Sequence, residues 1–70
     1  MKPYEALANA IIVQACDDYR NALNELSQDP LSIEAYRTKR EVERFFRSNL
    51  FATLTDIDPK YLLEKLRKEI

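Results

Sequence analysis

The sequence predicts an all-α fold, a small bundle of three helices with a short helical turn between the second and the third. The 70-residue chain contains no glycine, has three prolines, and is rich in Ala, Leu, Glu, Lys and Arg, which are strong helix formers. Apolar residues also recur at every third or fourth position, the period of one helix face. A chain of this length forms one domain, so we expect residues 1–70 to share a single core with little room for a deep pocket.

The first helix is predicted over residues 4–27. Pro3 suits the first turn of a helix, and Pro30 ends the run because proline disfavours helical geometry in the residue before it. Val13 is an apolar residue on the otherwise polar side. The predicted apolar half of the cylinder collects Leu7, Ala8, Ile11, Ile12, Ala15, Cys16, Tyr19, Ala22, Leu23 and Leu26.

The second helix is predicted to begin after Ser32, whose hydroxyl can accept a backbone N–H bond as the N-cap. Its opposite sides differ sharply in chemistry. The predicted buried face consists of Ala35, Val42, Phe45, Phe46 and Leu50, and the exposed side carries an arginine stripe of Arg37, Arg40, Arg44 and Arg47.

A short helical turn and a third helix complete the predicted bundle. Ser48 can cap a turn over residues 49–54, with residues 55–58 as the corner, and Asp58 with Pro59 forms a typical start for the last helix. The side chains expected to point into the bundle are Phe51, Leu54 and Ile57 from the joint, and Leu62, Leu63, Leu66 and Ile70 from the last helix.

Candidate catalytic and metal-binding residues are scarce. The chain has no His, no glycine-rich loop and no Ser, Cys or Thr beside a candidate base, and the single Cys16 is expected to be a small buried apolar side chain. Asp56, Asp58 and Glu64 have a superficially calcium-like order, but the glycine of such a loop is absent and capping explains Asp58. We therefore expect no enzyme, no cofactor and no metal site.

Charge and cysteine content indicate the compartment. The net charge is −1, and one cysteine cannot form an internal disulfide. The longest apolar run, Ala10–Val13, is far shorter than a membrane span, and no leader-like pattern is present. We expect a cytoplasmic protein that does not enter a membrane or bind a small-molecule substrate.

The arginine stripe has two possible interpretations. Arg37 with Glu41 and Glu43 with Arg47 have the spacing of ordinary intrahelical salt bridges, which would make the stripe a solvated face. Guanidinium groups also bind carboxylates and phosphates in bidentate fashion, which would make it a docking surface for an acidic or phosphate-bearing partner. The candidate partner-binding residues are Arg37, Arg40, Arg44 and Arg47, with Tyr36 beside them.

Two further hypotheses concern partners. Residues 49–54, the corner and the last helix could form a helix-turn-helix that places Lys60, Tyr61 and Glu64 toward DNA bases, although the turn lacks glycine and Glu64 is acidic. Self-association as a homodimer would instead cover Val13, Tyr36, Tyr61 and the wide apolar face of the first helix.

The chain resembles small uncharacterised helical proteins that are encoded by bacteriophages and prophages of Gram-positive bacteria. The stretches that carry the resemblance are AIIVQACDDYRNAL, EVERFFRS and LTDIDPKYLLEKLR, which together span most of the chain. Relatives of this kind tend to have glycine where this chain has Pro59, a difference that leaves the capping prediction intact. The resemblance implies a viral protein that binds a larger protein, such as an anti-CRISPR-like inhibitor of host defence, or a small DNA-binding regulator.

Overall fold

The computed structural model describes residues 2–69 and contains four helices: α1 Pro3–Gln28, α2 Ile33–Phe46, α3 Asn49–Leu54 and α4 Pro59–Lys68. No strand occurs among these residues, so the all-α prediction is confirmed. The predicted helices are all present: α1 begins and ends within a residue of the predicted bounds, and α2, α3 and α4 begin after the predicted caps, while α2 ends at Phe46, before the predicted Leu50.

The α1–α2 hairpin closes through the tight turn that follows α1. The Asp29 carboxylate accepts the N–H of Leu31 at 3.1 Å, and the Asp29 carbonyl accepts the N–H of Ser32 at 3.1 Å. The Ser32 hydroxyl then accepts the N–H of Ala35 at 3.3 Å, which makes it the predicted N-cap. The turn sends α2 back antiparallel along α1.

The two helices of this hairpin differ in length. α1 has 26 residues and α2 has 14, so α1 extends about 18 Å further at a rise of about 1.5 Å per residue. The first turns of α1 therefore pass beyond the end of α2. Residues 2–7 are all exposed there, and Ala8 is the first buried residue of the helix.

The core lies where α3 and α4 pack against the middle of α1 and the C-terminal half of α2. Its centre is aromatic: the Phe46 and Phe51 rings meet edge to face with centroids 5.0 Å apart, and Phe45 packs against Phe51 at 5.7 Å. The buried cluster consists of Ile12, Cys16, Tyr19, Val42, Phe46, Phe51, Leu63 and Leu66. Cys16 is thus buried among apolar side chains, as predicted.

Hydrogen-bonding side chains begin both of the later helices. The Ser48 hydroxyl accepts the N–H of Phe51 at 3.3 Å, and the Asp58 carboxylate accepts the N–H of Lys60 at 3.0 Å. Both N-caps were predicted, and they fix where the chain changes direction between α2 and α4.

Four predicted core residues are exposed instead. Leu50 is 58% exposed because the break at Ser48 resets the helical phase, so that Phe51 faces the core in its place. Ile57 is 48% exposed because it lies in the turn where its N–H bonds to the Thr55 hydroxyl. Leu7 is 64% and Ile11 39% exposed on the part of α1 that extends past α2. The prediction for Ile70 lies outside the described residues.

Replacing Phe51 with alanine tests the change of helical phase at Ser48. Phe51 is 1% exposed, so we expect Phe51→Ala to lower the free energy of unfolding by about 3–5 kcal/mol, or to prevent folding of this small domain. Leu50→Ala, one position away and exposed, should change it by less than about 0.5 kcal/mol. Urea unfolding followed by circular dichroism gives both values, and equal losses would contradict the assignment.

Candidate functional site

The five predicted partner-binding residues lie together on the solvent side of α2, opposite its buried face. We call them the arginine surface: Tyr36, Arg37, Arg40, Arg44 and Arg47. All five are exposed, and Arg40 donates a long hydrogen bond of 3.5 Å to the Tyr36 hydroxyl. The structure therefore brings the predicted residues onto one continuous face.

The four arginines of this surface form no salt bridge with any residue from 2 to 69. The predicted intrahelical pairs of Arg37 with Glu41 and of Glu43 with Arg47 are wrong. Glu43 is buried and turns toward α4, away from Arg47. The guanidinium groups of the arginine surface are therefore exposed to solvent, and Arg40 also donates to the Tyr36 hydroxyl.

The basic character continues from the end of α2 onto α4. Arg47 shares a pocket of about 340 Å³ with Lys60 and Arg67, and the buried Leu63 supplies part of its apolar lining. Glu64 is the one acidic residue that lines it. An acidic side chain that reaches this end of the arginine surface would meet several cationic groups at once.

A polar network beneath this surface joins three helices. The Tyr19 hydroxyl of α1 donates to Glu43 Oε2 at 2.8 Å, and Arg67 Nη2 of α4 donates to the same oxygen at 2.9 Å. Arg67 Nε also donates to the Tyr19 hydroxyl at 3.0 Å, while Lys39 Nζ lies 3.1 Å from Glu43 Oε2. One carboxylate on α2 therefore holds α1 and α4 in place.

Glu43 stays ionised despite its burial. Burial by itself would raise the pKa of this carboxyl, but hydrogen bonds from Tyr19, Arg67 and Lys39 outweigh it and lower the pKa from 4.5 to about 2. Every buried side-chain nitrogen or oxygen among residues 2–69 has a hydrogen-bond partner. The charge is thus fully compensated where it lies.

The pKa values of Tyr19 and Arg67, which both contact Glu43, are raised above their ordinary values. Burial raises the pKa of Tyr19, whose side chain is fully enclosed. The hydrogen bonds with Tyr19 and Glu43 raise the pKa of Arg67. A Tyr19 hydroxyl closed off from solvent and held by both neighbours positions helices, and no substrate reaches it in this arrangement.

This network was missed from the sequence, although one signal pointed to it. Tyr19 lies on the predicted apolar face of α1, and a buried tyrosine hydroxyl needs a hydrogen-bond partner. Nothing local identifies that partner, because Glu43 and Arg67 lie 24 and 48 positions further along the chain.

A second contact between α1 and α4 lies at the surface. Arg20 Nε donates to Glu69 at 2.6 Å and Arg20 Nη1 lies 3.1 Å from Asp17. The hydrogen bond raises the pKa of Arg20 and lowers that of Glu69. Because the groups are exposed, the contact orients the end of α4 more than it stabilises the fold.

The remaining candidate features are a metal site, the Cys16 thiol, a membrane span and the DNA-facing residues of α4. Residues 2–69 contain no group of three or more His, Cys, Asp or Glu side chains that could hold a metal. Burial raises the pKa of the Cys16 thiol. No helix within the same residues has the length and apolar character needed to cross a bilayer. The predicted DNA-facing residues Lys60, Tyr61 and Glu64 are exposed on α4.

Comparison of the chain with protein-family profiles, curated proteins and solved structures found no match.

Replacing Glu43 with glutamine tests the polar network. The pKa of Glu43 is lower in the folded chain, so its contribution is fully present above pH 4.5 and is lost as the pH falls toward 2. We expect Glu43→Gln to lower the free energy of unfolding by about 2–3 kcal/mol near neutral pH. The difference from the unmodified chain should shrink on acidification through that range.

The matched control is Glu41→Gln, which removes an exposed carboxylate from the same helix. It should change the free energy of unfolding by less than about 0.5 kcal/mol. Urea titrations across the acidic range measure both variants. A Glu43→Gln difference that does not vary with pH would contradict the assignment of the charge.

Proposed function

We propose that this chain is a non-catalytic protein-binding module whose arginine surface docks on an acidic face of a partner protein. The observation that supports this most directly is the set of four exposed arginines without a salt-bridge partner among residues 2–69. Arginines of this kind are well suited to bidentate contacts with carboxylates on another molecule.

The support beneath α2 makes this surface suitable for docking. The buried face of α2 and the contacts of Glu43 with α1 and α4 fix the position of this helix. Its backbone therefore loses little further freedom when a partner binds. Tyr36 adds an aromatic group to the guanidinium donors, and both residue types are enriched among the side chains that dominate binding energies. At one end of the surface, the pocket places Lys60 beside Arg47, while Arg67 in the same pocket is bound to Glu43 and Tyr19.

An acidic protein suits this surface better than a nucleic acid backbone. The net charge is −1, and the exposed Glu34 and Glu41 lie on the same helix as the arginines. Extended phosphate backbones would approach these acidic groups as well, whereas a partner protein can place its carboxylates only where the arginines are.

A DNA-binding regulator is the second candidate. The observation in its favour is that Arg47 of α2 and Lys60 of α4 line one pocket next to the exposed face of the last helix. In this hypothesis α3 and α4 act as the helix-turn-helix and Lys60, Tyr61 and Glu64 face the bases.

The biological setting that we propose follows from the resemblance to small phage proteins. A viral protein that acts in the cytoplasm of its bacterial host can redirect a larger machine by binding alone, and an inhibitor of host defence of the anti-CRISPR kind is one such role. A folded module with a charged face and a small core is compatible with that mode of action.

Charge reversal on the arginine surface tests the protein-binding proposal. Proteins captured from a Gram-positive bacterial lysate would be compared between the unmodified chain and the Arg40→Glu, Arg44→Glu double variant. We expect the variant to capture at least tenfold less of one specific protein, since an anchoring arginine contributes about 2 kcal/mol or more. The captured protein would then be purified and its affinity for both chains measured directly.

The control is the Lys65→Glu, Lys68→Glu double variant, which makes the same change in net charge on the exposed face of α4. It should capture the protein as the unmodified chain does. Equal capture by all three chains would contradict the proposal. Micromolar binding to random duplex DNA, with a slope of about 0.9 in log affinity against log salt for each neutralised phosphate, would favour the regulator.

A further inference from the structure

The part of α1 that extends past α2 exposes a continuous apolar stripe. Tyr4 and Leu7 are each 64% exposed and Ile11 is 39% exposed, and their spacing of three and four residues places them on one side of the helix. We call these three residues the α1 stripe. Tyr4 and Leu7 therefore lie mostly in solvent, although both are of types that normally pack.

The stripe runs into a groove between α1 and α2. This groove has a volume of about 250 Å³, and its apolar lining comes from Ile11, Ala15, Val42 and Phe45. Asp18 and Glu41 are its charged residues. The stripe and the groove together form one mostly apolar surface, in which Gln14 is the remaining polar residue.

We propose that a second copy of this chain covers the α1 stripe, through an antiparallel contact between the two α1 helices about a two-fold axis beside Ile11. In this register Leu7 of one copy lies opposite Ala15 of the other, so a large side chain meets the small one that lines the groove. Tyr4 lies opposite Asp18, whose carboxylate can accept a hydrogen bond from the Tyr4 hydroxyl. Ile11 meets Ile11.

The chemistry of the stripe favours a second copy over the acidic partner of the arginine surface. Leu7, Ile11 and Ala15 carry no charge, and the Lys2 ammonium 5.8 Å from the Tyr4 ring centroid is the cation beside them, so an acidic face finds far fewer donors here than on the arginine surface. The larger Tyr4 and Leu7 lie on one side of Ile11 and the smaller Ala15 and Asp18 on the other, so the face is complementary to itself about a two-fold axis.

The size of the contact predicts a weak dimer. From Tyr4 to Asp18 the stripe and groove extend about 21 Å along the helix, at a rise of about 1.5 Å per residue. Stable interfaces bury about 800 Å² on each partner, and a contact along four turns of one helix is small by that measure, so we expect a weak dimer that forms only at raised concentration.

The first experiment measures mass by sedimentation equilibrium across about a hundredfold range of concentration. The unmodified chain should pass from monomer to dimer, and Leu7→Glu should raise the dissociation constant at least tenfold. Leu31→Glu makes the same change at a residue that is 87% exposed in the α1–α2 turn and should leave the dissociation constant unchanged. A monomer at every concentration, or equal effects of the two variants, would overturn the proposal.

The second experiment tests the register by cross-linking with a short bis-maleimide. In a Cys16→Ala background, Ile11→Cys places a thiol beside the two-fold axis and should give a covalent dimer. Val13→Cys is the control, since Val13 is also exposed but lies on the far side of the helix. Cross-linking of Val13→Cys as fast as Ile11→Cys would overturn the proposed register. Neither experiment changes the arginine surface. A failure of the dimer proposal can therefore be distinguished from a failure of the protein-binding proposal.

Discussion

The fold depends on the buried carboxylate of Glu43. A chain of 70 residues buries only about 60% of its unfolded surface, so apolar burial alone leaves little margin and little geometric precision. An uncompensated buried charge costs several kcal/mol, and Glu43 is compensated here by Tyr19, Lys39 and Arg67, which all reach one of its oxygens. That requirement selects the arrangement of α1, α2 and α4 in which the donors converge.

The same requirement shapes the outer side of α2. If Glu43 faced solvent, it would neutralise Arg47 at the next turn, and the arginine surface would lose part of its charge. With Glu43 turned inward, its partners are Lys39 and Arg67, and Arg47 remains exposed at the edge of the basic pocket. The interaction that orders the core therefore also leaves the outer arginines without an internal partner.

Local features of the sequence predicted most of the fold. Helix ends are set by neighbours in sequence, which is why Ser32, Ser48 and Asp58 were identified correctly as caps. The exposure of Leu50 was missed because a single period was extended through the break at Ser48. The partners of Glu43 were missed because spacing within a helix favours Arg47, whereas the donors that bind it most closely come from distant helices.

Leu7 and Ile11 show a different limit of sequence periodicity. An amphipathic pattern records which side chains avoid water, and it does not record whether the cover comes from the same chain or from another. α2 is 12 residues shorter than α1, so the apolar pattern of α1 continues past the helix that packs on it. A copy that covered this excess would carry its own arginine surface. Two such surfaces on one dimer would bind a partner with repeated acidic sites more tightly than either alone, because the second contact forms within the complex.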